Sequence, residues 1–369
     1  MTLFKKLPAT LLAMACLGIA LPPAADAAPR KPAKAKKAVP KKPSIDYTGE
    51  FVNFGQWKEV QQFMGDMEQK HGVPIAESEK LFLELRYIDS AVQLMKPAPP
   101  GKPKNWQAYS SRFIEPKRIA AGVEFWNANR VALERAETLY GVPAEIIVGI
   151  IGVETIYGRD MGKFRVLDVL ATLAFAYPLT PNRDARMEFF RSELEATIMS
   201  ARQTGLDPLS LVGSYAGAVG MPQFMPGNIT KLGVDFDKDG KVDLRNSPAD
   251  AIGSVANFLV AHGWKRDDPA TLAYPATVSP ERAWEKYIGT GLEAQYRGEE
   301  LLADGVHPAV DLPPGLYGLV DLQNGSEPTE YWVGSNNFFS ITKYNRSYFY
   351  AMSVVELGKA VKLSMKETM

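Results

Sequence analysis

The sequence predicts an α+β protein that is mainly α, with a helical N-terminal region, a central core and a small β part towards the C-terminus. Three observations predict it. From residue 47 onward apolar side chains recur at spacings of three and four, as in Ile119, Val123 and Trp126, with Val131 five residues further on. Glycine and proline interrupt that pattern together at Gly72-Val73-Pro74 and Gly141-Val142-Pro143, where glycine suits the end of one helix and proline the first turn of the next. Past Trp264 the pattern changes, and residues 316–322, the pair Asn324-Gly325 and residues 331–333 read as a strand, a tight connection and a strand.

The segments follow in order along 369 residues, a length that holds two or three domains at roughly 100–200 residues each. Lys5 and Lys6 precede an uncharged run over 9–21, which leads to Ala25-Asp26-Ala27. Positive charge, apolar stretch and small-residue site in that order predict a secretory signal peptide over 1–27 and an exported protein. The run is shorter than the roughly 18 apolar residues a spanning helix needs. A lipid anchor at Cys16 is the alternative, because Ala15 supplies the small residue that such a site requires. Residues 28–44 place Arg30, Lys31, Lys34, Lys36, Lys37, Lys41 and Lys42 among alanine and proline, a basic linker with no apolar area to bury. Helices are expected over 51–69, 75–95 and 116–140, with a Pro-rich loop at 97–101, and together make a helical region over 45–140. The core is expected over 141–264. Residues 265–369 then hold the small β region and a closing helix over 347–365.

Composition narrows the chemistry. Hydrophobic residues make up 46% and charged residues 23%, ordinary values for a globular chain. Lys plus Arg and Asp plus Glu each total 42, which argues against a general binder of nucleic acid or anionic membrane. The balance is uneven along the chain: the first 43 residues carry nine basic residues and one acid, leaving 33 basic against 41 acidic in the rest. Cys16 alone cannot form an internal disulfide, and His71, His262 and His307 are too few and too scattered for a His-rich metal site. Carboxylates, hydroxyls and amides must therefore carry the chemistry, and no organic cofactor is expected.

One carboxylate stands out. In 144–157 the residues Ile147, Ile150, Ile151 and Glu154 fall on one helical face. A carboxylate on an apolar stripe is costly unless it is paired or protonated, and desolvation raises its pKa towards what a general acid near neutral pH requires. The alternative is a structural Glu paired with Arg159. The segment 214–226 adds Gly217, Gly220, Gln223 and Pro226 at spacings of three. Such glycines let backbone approach a ligand, and the Gln223 amide can both donate and accept, as hydroxyl and N-acetyl groups require. Met221, Phe224 and Met225 are candidates for apolar contact with a sugar face.

A second motif lies at 235–246. Asp235, Asp237 and Asp239 occupy positions one, three and five of an EF-hand order, Gly240 position six, Lys241 offers a carbonyl at seven, and Asp243 stands at nine. Asn246 replaces the bidentate Glu of position twelve, so affinity should be lower unless Asp250 folds back to supply a carboxylate. Carboxylates alternating around a glycine repel one another without a cation, which favours Ca2+ over an acidic surface turn.

Five blocks in order resemble the lytic murein transglycosylases, specifically the membrane-bound lytic transglycosylase B type: I-I-V-G-I-I-G-V-E-T-I-Y-G-R (146–159), L-D-V-L-A-T-L-A-F-A-Y-P (167–178), S-Y-A-G-A-V-G-M-P-Q-F-M-P (214–226), D-A-I-G-S-V-A-N-F-L-V-A-H-G-W (250–264) and I-T-K-Y-N-R-S-Y-F-Y-A-M (341–352). The resemblance runs from about residue 47 to the C-terminus. It implies that Glu154 is the single catalytic acid/base, that Ser214 and Gln223 contact the glycan, and that Tyr344, Asn345 and Tyr350 line the same groove. The family usually places two adjacent arginines directly after the Tyr-Pro that here is Tyr177-Pro178. This chain has Leu179-Thr180 there, so Arg186 is taken to replace one arginine, with Arg183 as its rival. Relatives of this type also carry the acidic loop, with a structural role for Ca2+. The fold then reads as a lysozyme-like catalytic core with an additional helical domain and a small β part.

The implied reaction cleaves the β-1,4 bond between N-acetylmuramic acid and N-acetylglucosamine in peptidoglycan and leaves 1,6-anhydro ends. The implied partner is the glycan strand, not nucleic acid, and a larger cell-wall synthesis or remodelling complex stays open. Three rivals remain: a muramidase that uses water, with Asp160 or Asp168 as second carboxylate, a peptidoglycan-binding scaffold without turnover, and a calcium-binding structural module.

Overall fold

A computed structural model of the protein describes residues 53–97 and 103–367. The expected signal peptide with Cys16, the basic linker and most of the 97–101 loop lie outside the described residues. Along the chain run α1 (Lys58–His71), α2 (Ile75–Leu83), α3 (Asp89–Leu94), α4 (Trp106–Ser110), α5 (Pro116–Ala128), α6 (Arg130–Tyr140) and α7 (Ala144–Thr155). The short strand β1 (Phe164–Arg165) precedes α8 (Val166–Ala176) and α9 (Arg183–Thr204), and β2 (Val212–Gly213) precedes α10 (Pro226–Leu232) and α11 (Pro248–Ala261). Then come β3 (Ala273–Val278), β4 (Tyr296–Arg297), α12 (Gly298–Ala303), β5 (Val306–Pro308), β6 (Leu316–Asn324), β7 (Glu327–Ser335), α13 (Asn336–Ile341) and α14 (Tyr348–Glu367). The architecture is mostly helical with a small sheet, as expected. The chain divides into two units, one of residues 53–97 and 162–217, the other of residues 103–161 and 218–367.

In the first unit α1 buries Val60, Phe63, Met64 and Met67, one helical face. Phe63, Phe82 and Phe175 meet edge-on, with centroids 5.8–6.3 Å apart. The expected helix over 75–95 is two helices, broken between Leu83 and Asp89. Tertiary acceptors take the amides there: Arg86 N donates to Asp168 Oδ1 and Ile88 N to Thr172 Oγ1, each at 3.0 Å. β1 and β2 pair antiparallel beside α8, which packs on α9.

In the second unit Gly141 ends α6 at φ 67° as the punctuation predicts, and Pro143 stands at the N-cap of α7, one residue before the first turn expected for it. The expected helix over 116–140 breaks at Asn129, whose side-chain amide donates to the Phe125 carbonyl at 2.8 Å and competes with the backbone. The break resets the helical phase, and Val131 points to solvent instead of continuing the apolar stripe. α7 is apolar all round, and residues 146–153 are buried among side chains of α11 and α14. Each fully buried Ile there contributes roughly 1.5–3 kcal/mol. The expected hairpin forms as β6 and β7, and the sheet continues in the order β4-β6-β7-β3-β5 with every pair antiparallel. A second core of Tyr274, Trp284, Tyr287, Leu301 and Tyr317 packs with that sheet.

Candidate active site

Glu154 stands in the last turn of α7 and is half-buried. The helix stops one residue later, because Ile156 and Tyr157 adopt left-handed backbone at φ 51° and 58°. α14 runs against α7 at very close range. A Cβ on Gly149 would lie 2.3 Å from the Val354 carbonyl oxygen, and one on Gly358 would lie 2.2 Å from that of Glu145. This approach delivers the buried Tyr350, whose hydroxyl donates to Glu154 Oε1 at 2.6 Å. Burial pushes the Glu154 carboxyl up to about 7, and the Tyr350 hydrogen bond opposes the shift without cancelling it. Tyr344 stacks on Tyr350 with centroids 6.2 Å apart and donates its hydroxyl to the Pro222 carbonyl. Burial and then the nearby Glu154 charge hold the Tyr344 hydroxyl well above its ordinary pKa.

The Gly-rich turn from residue 218 is fastened on two sides. Val219 and Phe224 exchange backbone hydrogen bonds at 2.8 and 3.1 Å, and between them Gln223 sits at φ 52° with Nε2 donating to the Gly220 carbonyl at 2.9 Å. Met221 N donates to the Leu244 carbonyl at 2.8 Å, and the fully buried Thr155 hydroxyl donates to the Met221 carbonyl at 2.8 Å. The residue after Glu154 thus fixes the turn. Met221, Phe224 and Met225, candidates for sugar contact, are buried instead, and Phe224 packs against Phe258 and Tyr344.

The second unit brings together Glu154, the Gln223 turn, Tyr344 and Tyr350. Asn345, buried between α13 and α14 in the same unit, accepts at its carbonyl from Ser347 N at 2.7 Å. Ser214 and Arg186 belong to the first unit. There Ser214 Oγ accepts from Ala216 N at 3.4 Å, and Arg186 stands in the first turn of α9. Arg183, its rival, donates from Nε to the Tyr177 carbonyl at 2.9 Å. Asp168 is buried in an ion pair with Arg165, N···O 2.6 Å, which leaves it a structural carboxylate of the first unit. Asp160 is exposed.

Sequence reasoning missed two residues that touch this site through backbone. Thr155 carried no pattern beyond its adjacency to Glu154. Arg118 did: with Ala121, Gly122 and Phe125 it forms the buried face of α5, a charge on an apolar stripe like Glu154 itself. Its Nη1 donates to the carbonyls of Gly152 and Val153 at 2.6 and 3.4 Å.

The acidic loop wraps around Asp250. Carboxylate oxygens of Asp235, Asp237 and Asp250 lie within 4.8 Å of one another. Asp250 is fully buried and accepts from Phe236 N at 2.7 Å and Asp243 N at 2.8 Å. Asp235 accepts from Asp239 N and Gly240 N, and Asp237 from the Ser247 hydroxyl at 2.6 Å. Asp239 accepts from Lys241 N at 3.1 Å and faces the Lys241 ammonium at 3.7 Å. Asn246 turns its amide nitrogen onto Asp243. Burial alone would raise Asp243, but hydrogen bonds from Asn246 and Arg245 hold its carboxyl below the ordinary range. Three converging carboxylates with hard oxygen donors fit a divalent cation such as Ca2+.

A sequence profile of the family described as Transglycosylase SLT domain matches residues 55–359. The chain is 39% identical to the membrane-bound lytic murein transglycosylase B of Escherichia coli K12, over 97% of each chain. Among solved structures it is similar to the E. coli lytic transglycosylase SLT35. The bulgecin A complex matches at 40% identity with TM-score 0.76, and the calcium complex at 40% with TM-score 0.75, each covering 88% of this chain and 99% of that one. The catenated lytic transglycosylase SltB1 from Pseudomonas aeruginosa matches at 39% identity, TM-score 0.77, over 85% of this chain and 99% of that one.

Proposed function

The chain belongs to the Transglycosylase SLT domain family and is a lytic transglycosylase acting on peptidoglycan; from that premise we propose that Glu154 performs both proton transfers of the reaction. The observation that carries this reading is a lone carboxyl in the last turn of the apolar helix α7, held by the Tyr350 hydroxyl at 2.6 Å, a setting whose burial pushes it up to about 7. At neutral pH such a group exists in both protonation states, which is what an acid that later serves as base needs.

The bond cleaved is the β-1,4 linkage between N-acetylmuramic acid and N-acetylglucosamine. Protonated Glu154 gives its proton to the glycosidic oxygen as the bond from the anomeric carbon breaks. The muramic acid 6-hydroxyl then bonds to that carbon and returns its proton to the Glu154 carboxylate, leaving a 1,6-anhydro end. A hydrolytic glycosidase usually needs two carboxylates, roughly 5–5.5 Å apart for retention or 6.5–9.5 Å for inversion. An intramolecular nucleophile needs only one, because the 6-hydroxyl is already tethered to the reacting ring. Tyr350 orients the carboxyl. Gln223, Tyr344 and Asn345 on the same unit, and Ser214 and Arg186 on the other, are assigned to glycan contact on the family resemblance. Mass spectrometry of muropeptides released by wild type and by Glu154→Gln tests the reading. Anhydro products from wild type and none from the variant are expected, and products heavier by one water would overturn it.

Asp235, Asp237 and Asp250 are assigned as the carboxylate core of a Ca2+ site, with Asp239, Asp243, Asn246 and the Lys241 carbonyl as the remaining candidate ligands. The calcium complex of a relative and the convergence of three carboxylates support this assignment. Its role is structural. Met221 N bonds to the carbonyl of Leu244 within the loop, so the loop braces the Gly-rich turn. A periplasmic location, reached through the signal peptide over 1–27, follows from the envelope polymer that is cleaved.

A further inference from the structure

The placement of Glu154 depends on how α7 ends. The Ile156 amide bonds to the Gly152 carbonyl at 3.2 Å, and the Tyr157 amide turns to that of Ile151 at 3.3 Å. In a continuing helix the Tyr157 amide would serve Val153, so the Val153 carbonyl loses its helical donor. Glycine usually closes a helix through left-handed backbone. Here Ile156 at φ 51° and Tyr157 at φ 58° do so, and a β-branched residue is strongly disfavoured in that region. Such strain costs about 1–3 kcal/mol per residue and persists only where the surroundings hold it.

Arg118 lies against this turn. Its Nη1 bonds to the Gly152 and Val153 carbonyls and its Nη2 to that of Arg112 at 3.4 Å, while the guanidinium lies 5.3 Å from the Phe113 ring centroid. The side chain is buried, so its charge faces the negative end of α7 in a low-dielectric setting. The Tyr157 hydroxyl packs where Cβ atoms on Gly122 and Gly152 would stand, which seats the strained residues against α5.

We propose that Arg118 is a positioning residue for the acid/base: its guanidinium clamps the last turn of α7 in the strained conformation that keeps the Glu154 carboxyl on the Tyr350 hydroxyl. The inference rests on Glu154 being the acid/base.

The test uses the full chain acting on purified sacculi, with Arg118→Met, Arg118→Lys and the double variant Arg118→Met with Ile156→Gly. In Arg118→Met, kcat should fall by roughly a hundredfold, the loss expected when a reacting group is misplaced by about 1 Å, with KM little changed. The alkaline limb of kcat should move to higher pH, because the aligned Tyr350 bond favours the carboxylate and is lost when the turn relaxes. Arg118→Lys should restore part of kcat, and so should millimolar guanidinium added to Arg118→Met. Glycine at 156 lets the left-handed turn form without strain, so the double variant should regain both thermal stability and part of kcat. Stability regained with kcat still at the Arg118→Met level would overturn the clamp, and an Arg118→Met enzyme that loses stability but keeps its kcat and pH profile would make Arg118 merely structural. A fully active Glu154→Gln overturns the acid/base reading instead, whatever the Arg118 variants do.

Discussion

The Tyr350 hydroxyl reaches Glu154 Oε1 at 2.6 Å from a helix 196 residues away in sequence. Two opposing effects therefore act on one carboxyl. Removal from water favours the protonated form and the phenolic hydrogen bond favours the anion, with burial the larger effect.

Tyr350→Phe removes the anion-favouring effect and keeps the ring that stacks on Tyr344. The Glu154 pKa should then rise further above about 7. A hydrogen bond to a charged group is worth about 1.5–3 kcal/mol, and 1.36 kcal/mol is one pKa unit, so the alkaline limb of kcat should move up by about one to two units. Rate profiles of the two enzymes from pH 5 to 9 measure it, and a limb that stays in place or moves down refutes the assignment of Tyr350.

The same shift makes Glu154 a cost to folding at high pH. Its native pKa of about 7 lies above the ordinary 4.5, so the folded chain holds the proton more tightly than the unfolded one. The contribution is fully present below about 4.5 and is lost as pH rises through about 7. At pH 8 the loss amounts to at most about 3 kcal/mol. Glu154→Gln cannot ionise, so its Tm should match wild type near pH 4 and exceed it at pH 8. An equal Tm difference at both values would remove the carboxyl charge as the cause.

Glu154 was legible in sequence because a charge on an isoleucine stripe breaks a periodic pattern. The acidic loop and the β6–β7 hairpin were legible because their signals are local. The partners of Glu154 were not, because Tyr350 reaches it through tertiary packing and only the family resemblance pointed there. Local pattern also failed where tertiary groups took over backbone amides, as Asp168 and Thr172 do between α2 and α3. The strand β3 was hidden by Pro275, which reads as a breaker although β3 pairs on both sides. Arg118 was visible by the criterion that found Glu154, but a cation two residues after the opening proline of a helix looks like solvated surface.

Calcium should stabilise the protein through three carboxylates that otherwise repel one another. A ligand present at a hundred times its Kd and bound only by the folded state adds about 2.7 kcal/mol. Tm should therefore rise with added Ca2+ and respond less to Mg2+, which demands stricter octahedral geometry. Asp237→Asn suits the test because Asp237 is exposed and its removal leaves the buried Asp250 in place. The variant should lose most of the Ca2+ response while keeping its Tm without calcium. A variant whose Tm still climbs with Ca2+ as wild type does would move the site elsewhere.

Two glycine-to-alanine changes should have opposite signs. Gly149 has no room, since a Cβ would meet the Val354 carbonyl oxygen at 2.3 Å and backbone cannot swing aside as a flexible side chain does. α14 must then retreat from α7, and Tyr350 lies one turn before Val354 on that helix. Gly149→Ala should cost about 1–3 kcal/mol, the usual penalty of overpacking. It should also lower kcat, because the 2.6 Å contact with Glu154 lengthens. Gly65, in the middle of α1, has nothing within 4 Å of its Cβ position. Gly65→Ala should stabilise by up to about 1 kcal/mol through the smaller entropy loss of alanine in a helix, with kcat unchanged. Chemical unfolding and turnover of both variants check the pair. A Gly149→Ala enzyme with wild-type stability and kcat would mean that the backbone contact between α7 and α14 does not set the Tyr350–Glu154 distance.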